Sequence, residues 1–381
     1  MRARILLLST SLGMGGADRQ IVYLAKALLA CDYDVRLVSM TPLEEMGRQA
    51  LAEGLRVTSL DMVRGRADWS AFRRLVKLLR SWQPHLLSSF MYHANLMGRL
   101  AGRWAGVPLL VTSIRSERNG SPGQDWLMRL TNWMDHCQTT NSQQVADSLR
   151  QRGLLSPGKS RVIPNGIDPD ALTASAAERV RLRGELKLEQ NEFVWLAIGR
   201  LLPQKDYPTL LEAFAPLGRH PARLLIAGRG PLLAELQQQV DRLGVSSQTV
   251  FLGVRQDIAS LLAAADGFVL SSAWEGMPNV VMEALAAAKP VVSTRVGGVA
   301  ELVQDGKTGW LVPARDPKAL SQAMHRLMTL SETERQRMGW AGREHLRAHF
   351  GLEAMAHRWM TLYNDLLARK GSLVDQPDHR P

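Results

Sequence analysis

Four short stretches of this chain put phosphate- and sugar-binding groups where a strand gives way to a helix. The most specific is Glu275-Gly276-Met277-Pro278-Asn279-Val280-Val281-Met282-Glu283. Pro278 suits the first turn of a helix, so the backbone N–H groups of Met277, Asn279 and Val280 can point at an anion. Glu275 precedes that turn and Glu283 lies little more than a turn into the helix. One carboxylate can therefore accept hydrogen bonds from sugar hydroxyls and the other from a ribose diol. The spacing alone proves little, because Glu45 and Glu53 share it; the position of the pair gives it meaning.

The second stretch, Gly199-Arg200-Leu201-Leu202-Pro203-Gln204-Lys205-Asp206, carries two cations on a proline-bent loop. A guanidinium fork and an ammonium point charge at that spacing can hold one diphosphate, although such cations are also often simply solvated. The third, Gly228-Arg229-Gly230-Pro231, presents no bulky side chain at its glycines. It fits either a ligand or a tight strand-to-helix turn. The fourth holds Gly13, Gly15 and Gly16 before a helix, where N–H groups and the helix dipole suit a phosphate. Its spacing is not the dinucleotide fingerprint, and a plain turn is the competing reading.

These loops need strands and helices to hold them. Runs such as Arg4–Ser9, 35–40, 56–60, 85–90, 109–114 and 137–140 alternate with helical patterns at 17–29, 44–53, 68–82, 93–105 and 142–152. After a stretch rich in Pro, Gly, Asn and Asp at 157–177, alternation restarts with strands at 193–198, 223–227, 249–252, 267–270 and 290–294 and helices at 207–217, 232–243, 258–264 and 278–288. Strands alternating with helices predict two tandem, doubly wound α/β domains. In such sheets ligands bind beyond the carboxyl ends of strands, where the four loops lie. The expected division is 1–170, then 171–350, a helix at 351–370, and a disordered tail at 371–381.

The set Gly15-Gly16, Asn165-Gly166-Ile167-Asp168, Gly199-Arg200 with Lys205-Asp206, Gly228-x-Gly230-Pro231, Glu275 to Glu283 and Gly297-Gly298-x-x-Glu301 resembles the retaining, nucleotide-sugar-dependent glycosyltransferases of family 4, with the GT-B fold. The match runs in order along nearly the whole chain. The resemblance implies two Rossmann-like domains facing a central cleft, with the last helix crossing back to the first. It also implies that the donor diphosphate meets Arg200, Lys205 and the backbone near Gly15 and Gly16, with the turn from Gly276 to Val280 close by. Glu275 would contact the transferred sugar, Glu283 the ribose, and the loops around Gly199, Gly230 and Arg255 the nucleotide. Uridine is the expected base, a hexose or N-acetylhexosamine the expected sugar, and a lipid-linked saccharide of a bacterial surface polysaccharide (lipopolysaccharide, capsule or exopolysaccharide) the expected acceptor.

Elementary chemistry agrees. Charge develops on the leaving β-phosphate as the sugar departs, so Arg200, Lys205 and helix N–H dipoles would favour the transition state over the ground state. No metal and no cofactor is then expected, and His345 with His349 is read as a solvated helix face. One departure stands out: many family members carry a histidine beside the acceptor where this chain has Arg115. An arginine cannot serve as a general base at neutral pH. Arg115 has an electrostatic role, or else the acceptor faces His93 or Glu117. In a front-face mechanism, as proposed for the family, the leaving phosphate itself takes the acceptor proton.

The 381 residues carry 47 Lys and Arg against 36 Asp and Glu, a net +11, of which residues 1–170 hold +8. The first half faces something anionic. Arg64, Arg66, Arg73, Arg74, Lys77 and Arg80 interleave with Trp69, Phe72, Leu75, Val76, Leu79 and Trp82. This basic amphipathic helix suits an anionic bilayer or a lipid diphosphate, or equally a sheet-covering helix with a solvated face. No nucleic-acid-binding motif appears. Two cysteines, Cys31 and Cys137, exclude a disulfide framework and point to buried thiols in a reducing compartment. No signal segment or membrane-length apolar run is found, so a cytoplasmic protein at the inner membrane face is expected. Two other readings stay open: a 2-epimerase of the same fold, disfavoured by the Arg200/Lys205 and Glu275/Glu283 pairs, and a non-catalytic protein that binds anionic surfaces.

Overall fold

The computed structural model describes residues 2–13, 15–117 and 122–374. They form two compact units, the first of residues 1–166 with 352–381 and the second of residues 167–351. The first runs β1 (Arg4–Ser9), α1 (Gly16–Ala30), β2 (Asp34–Ser39), α2 (Glu45–Ala52), β3 (Val57–Ser59), α3 (Trp69–Trp82), β4 (Leu86–Phe90), α4 (Tyr92–Ala105), β5 (Leu109–Ile114), α5 (Pro122–Thr131), β6 (Cys137–Thr140), α6 (Gln143–Gln151) and β7 (Ser160–Val162). The second runs α7 (Ala176–Glu185), β8 (Phe193–Ile198), α8 (Tyr207–Phe214), β9 (Ala222–Ala227), α9 (Leu233–Leu243), β10 (Thr249–Gly253), α10 (Ile258–Ala264), β11 (Gly267–Leu270), α11 (Asn279–Ala286), β12 (Val291–Thr294), α12 (Val299–Leu302), β13 (Gly309–Val312), α13 (Pro317–Thr329) and α14 (Glu332–Phe350). A last helix, α15 (Leu352–Val374), returns to the first unit.

Each unit is built on one parallel sheet, in the orders β3-β2-β1-β4-β5-β6-β7 and β10-β9-β8-β11-β12-β13. Strand β1 shows why: Ile5, Leu6, Leu7 and Leu8 are all fully buried, as a strand covered on both faces must be. Helix α1 buries Ile21, Leu24, Ala25 and Leu28 along one stripe, the 3.6-residue period of a helix lying on a sheet. Strand order reverses between β1 and β4 in one sheet and between β8 and β11 in the other. Beyond these switch points open the ligand crevices of doubly wound folds.

Several elements differ from expectation. α5, β7, α7, α12 and β13 have no counterpart in the sequence reading; β7 has only 3 residues and α12 and β13 only 4 each, too few to show a period. The unit boundary falls after Gly166 rather than 170, because Ile167 bridges to Gly351 and Asp170 accepts from Arg343 and Arg347, all within the second unit. Helix α15 continues through 371–374, which had been assigned to the tail, and residues 375–381 lie outside the described residues. Met355, Trp359, Leu362 and Tyr363 of α15 are buried in the first unit's core with Ile5, Leu7 and Val111. Cys137 is buried there as expected, but Cys31 is exposed at the end of α1.

Candidate active site

The loops that follow β8 and β11 meet at the second unit's switch point. Pro203–Lys205 form a single 3-10 turn, docked by Ala273 N–H on Gln204 O at 2.8 Å and by Ser271 Oγ on Lys205 O at 2.8 Å. That docking sets Lys205 Nζ 2.5 Å from Glu275 Oε1, which also accepts from Ser272 Oγ at 2.7 Å. Gln204 Nε2 donates to Glu275 Oε2 at 3.2 Å. Glu275 is only 6% exposed, so its orientation is over-determined by three side chains, two of which, Gln204 and Ser272, the sequence reading did not single out. Their signal was adjacency: Gln204 precedes Lys205 on a proline-started turn, and Ser272 stands three residues before Glu275.

Gly199, at the end of β8, leaves room for the Lys205 and Tyr207 side chains; a Cβ there would stand 3.0 Å from Lys205 Cε. Tyr207 donates to Gly199 O at 3.1 Å. Burial, with the nearby Glu275 charge adding, pushes its phenol well above the ordinary range. Gly228 and Gly230 serve backbone packing: added Cβ atoms would meet Gly199 O at 1.9 Å and Leu201 O at 2.2 Å. These close approaches seat the loop directly against Gly199–Leu201. Arg200 is exposed and, with Leu202, Arg229, Gly230 and Pro231, lines one open hollow. Arg229, overlooked between its two glycines, adds a second guanidinium there.

Pro278 stands as the cap immediately before α11, one position ahead of its expected place. Gly297, at φ +50°, lies against this turn, where a Cβ would come within 2.4 Å of Glu275 O. The neighbouring Gly298 N–H donates to Gly276 O at 2.5 Å. Met277 is buried, Asn279 and Val280 open the helix, and Glu283 is buried at 2% exposure. The guanidinium of Arg255, on the loop after β10, pairs with Asp257 at 2.7 Å and 2.5 Å.

In the first unit, the glycine loop ends in a carboxylate. Asp18 Oδ2 accepts from Gly15 N–H at 3.1 Å, the reach from the third helical position back to the cap. Burial raises the Asp18 carboxyl to about 6, with Glu44 adding. Glu44 itself pairs with Arg64 at 2.5 Å. Gly16 starts α1. Each of the three expected acceptor-side residues has its own neighbour: His93 is exposed against the Tyr92 ring, Glu117 offers its carbonyl to Arg152, and Arg115 donates to Asn165 Oδ1.

One expectation outside the site is corrected. His345 is not solvated, since it bonds Gln304 at 3.1 Å and Glu301 O at 3.0 Å. The amphipathic stripe of α3 divides: Leu75, Val76, Leu79 and Trp82 are core, while Trp69 stays exposed with Arg73, Lys77 and Arg80. Trp104 of α4 meets Trp69 and Phe72 edge-on at 6.4 and 6.1 Å, completing an aromatic and basic groove. Two Asp-x-Asp triplets, passed over in the sequence, are committed elsewhere: Asp32 pairs with Arg2, Asp34 with Arg56, and Asp170 with Arg343. Among the described residues no three His, Cys, Asp or Glu side chains gather as a metal site, and no helix is long and apolar enough to cross a membrane.

Known proteins resemble this chain along most of its length. The family model described as Glycosyltransferase Family 4 matches residues 14–171, and that of Glycosyl transferases group 1 matches residues 178–345. The UDP-Gal:alpha-D-GlcNAc-diphosphoundecaprenol alpha-1,3-galactosyltransferase of Escherichia coli is 28% identical over 275 residues, covering 68% of this chain and 70% of that protein. The N-acetyl-alpha-D-glucosaminyl L-malate synthase of Bacillus anthracis is 30% identical over 191 residues, half of each chain. The crystal structure of Anabaena Alr3699/HepE in complex with UDP superposes with a TM-score of 0.83 over 96% of this chain and 100% of that one, at 22% identity, and so shares its fold.

Proposed function

The chain belongs to the glycosyltransferases described by the family 4 and group 1 models, and from that premise we propose that it moves a hexose or N-acetylhexosamine, with retention, from a UDP-sugar to a lipid-linked saccharide at the cytoplasmic face of a membrane. The observation that carries this reading is the Lys205–Glu275 pair at the switch point between β8 and β11. It puts a cation for a leaving phosphate and a carboxylate for sugar hydroxyls on the same loop junction. Arg200 and Arg229 supply further positive charge in the hollow that they line with Leu202, Gly230 and Pro231. Glu283 would accept from the ribose, and the turn from Gly276 to Val280 would give N–H groups to the diphosphate.

As the glycosidic bond to the donor breaks, negative charge grows on the β-phosphate, where Lys205 and Arg200 stabilise it. Glu275 holds the sugar by its hydroxyls, and the departing phosphate oxygen takes the acceptor's proton on the same face. These side chains ask for no metal. The groove of Trp69, Phe72 and Trp104, rimmed by Arg73, Lys77 and Arg80, suits the interface of an anionic bilayer, where indoles sit at headgroup depth and cations meet phosphates. Arg115, with His93 and Glu117, is assigned to the acceptor side.

A thermal-shift panel of UDP, GDP and NAD with EDTA present tests the donor class, since a ligand of the folded state raises its melting point by mass action. We expect UDP to stabilise the chain without metal and NAD to leave it unchanged. No response to either nucleoside diphosphate from folded protein would defeat the proposal.

A further inference from the structure

The C-terminal ends of four neighbouring strands converge on Arg115. It follows β5; Phe90 ends β4 with its ring 6.0 Å from the guanidinium carbon; Asn141 follows β6; and Asn165 lies just beyond β7. Asn165 Oδ1 accepts from Nη2, and Asn141 Nδ2 reaches the Arg115 carbonyl at 3.5 Å. Among the described residues no carboxylate pairs with this guanidinium, whereas the buried Arg99 in the same unit is fully paired with Asp135. Among the described residues Nε and Nη1 of Arg115 have no hydrogen-bond partner, Nη2 alone being bonded, to Asn165. Beside it Asn141, 2% exposed, holds a buried Oδ1 with no donor.

A partly buried cation without a counter-charge and a buried acceptor without a donor are both costly as they stand. One kind of ligand relieves both costs: an oxyanion that takes the guanidinium fork, carried on a molecule whose hydroxyl donates to Asn141. We propose that the first unit binds a saccharide bearing an oxyanion, a carboxylate or a phosphate, with Arg115 as the residue that selects it. Burial with no charged neighbour lowers the guanidinium pKa to about 10, still protonated at neutral pH. That the saccharide is the acceptor rests on the glycosyltransferase reading; that it is anionic rests on Arg115 alone.

The test uses the full chain saturated with UDP, so that anions do not compete at Arg200 and Lys205. Dissociation constants are measured by NMR titration for D-glucuronate, glucose 6-phosphate and glucose. The expected result is that at least one oxyanion sugar binds about tenfold more tightly than glucose, the ratio a charge-assisted hydrogen bond supports. Glucuronate ahead marks a carboxylate ligand, and glucose 6-phosphate ahead a phosphate. Arg115→Gln removes the preference while keeping UDP affinity and melting point, and Arg115→Lys restores part of it. Equal constants for all three sugars, or a preference that survives in Arg115→Gln, overturn the proposal. Should Arg115→Gln fail to fold, the wild-type and Arg115→Lys titrations decide by the same criterion. Absence of UDP binding would strike the donor reading instead, and the sugar titration without UDP would still decide for Arg115.

Discussion

Lys205 and Glu275 pair at 2.5 Å, and each has its own contact to make, Lys205 with the phosphate and Glu275 with the sugar. Lys205→Ala should lower turnover by about 10² or more, the size of losing one charge-stabilising donor. Glu275→Ala should impair transfer and spare UDP affinity, and loss of UDP binding in that variant would refute the assignment of Glu275 to the sugar. Asp18 carries a separate consequence. Its carboxyl titrates near 6 in the folded chain, against 3.8 for the ordinary group, so folding binds a proton between those values. The contribution of this group to stability is fully present below about pH 4 and is lost as pH rises through 6, an amount on the order of 3 kcal/mol. Asp18→Asn keeps an acceptor for Gly15 and removes the charge. Its melting point should exceed the wild type's at pH 8 and lose that advantage toward pH 5; an offset independent of pH would contradict the burial argument.

At the scale of elements, loops rather than helices position the chemistry, and glycines let the loops lie on one another. Gly228 at φ +150° faces Gly199 O, with no room for a Cβ. Gly228→Ala should cost roughly 2 kcal/mol or more and weaken UDP binding, since the strand-end loops must part. Gly184 in α7 has nothing within 4 Å of its Cβ position, and Gly184→Ala should stabilise by about 0.5 kcal/mol. Urea unfolding of the two variants checks both signs. Helix α3 teaches a related lesson. Its N-cap, Asp68, accepts from Ser70 and Ala71 N–H at 2.9 Å, and most of its apolar stripe is spent on the sheet, so only Trp69 and the basic rim remain for a surface.

For the whole molecule, the charge is lopsided: +8 of the net +11 lies in residues 1–170. Exposed Arg73, Lys77 and Arg80 lie beside Trp69 and Trp104, which are 61% and 62% exposed. Sedimentation with vesicles should therefore show binding to anionic and not to zwitterionic lipid, declining as salt shortens the screening length. Replacing Arg73 and Lys77 with Ala should weaken that binding by about tenfold or more, at roughly 1 kcal/mol per cation. Unaltered vesicle binding by the double variant would return the groove to a solvated face. Helix α15 fills the first unit's core with Trp359 and Tyr363, so that core is complete only with this helix in place.

The sequence by itself determined the alternation of strands and helices, the two-unit division and the loops that carry Arg200, Lys205, Glu275 and Glu283. Hydrophobic periodicity and the residues at strand ends are local properties of the chain. Strands as short and polar as β7 left too little period to see, and α7, at 176–185, lies between the turn-rich stretch and the next strand, where no element was read. Only the tertiary structure decided the pairings: Arg255 is paired with Asp257, His345 is bonded to the 301–304 segment, Asp18 reaches back to the glycine loop, and Arg115 meets Asn165 and, among the described residues, no carboxylate. Which charge meets which is set by how strands are ordered across a sheet, and residues as far apart as Lys205 and Glu275 or Arg115 and Asn165 become neighbours only there.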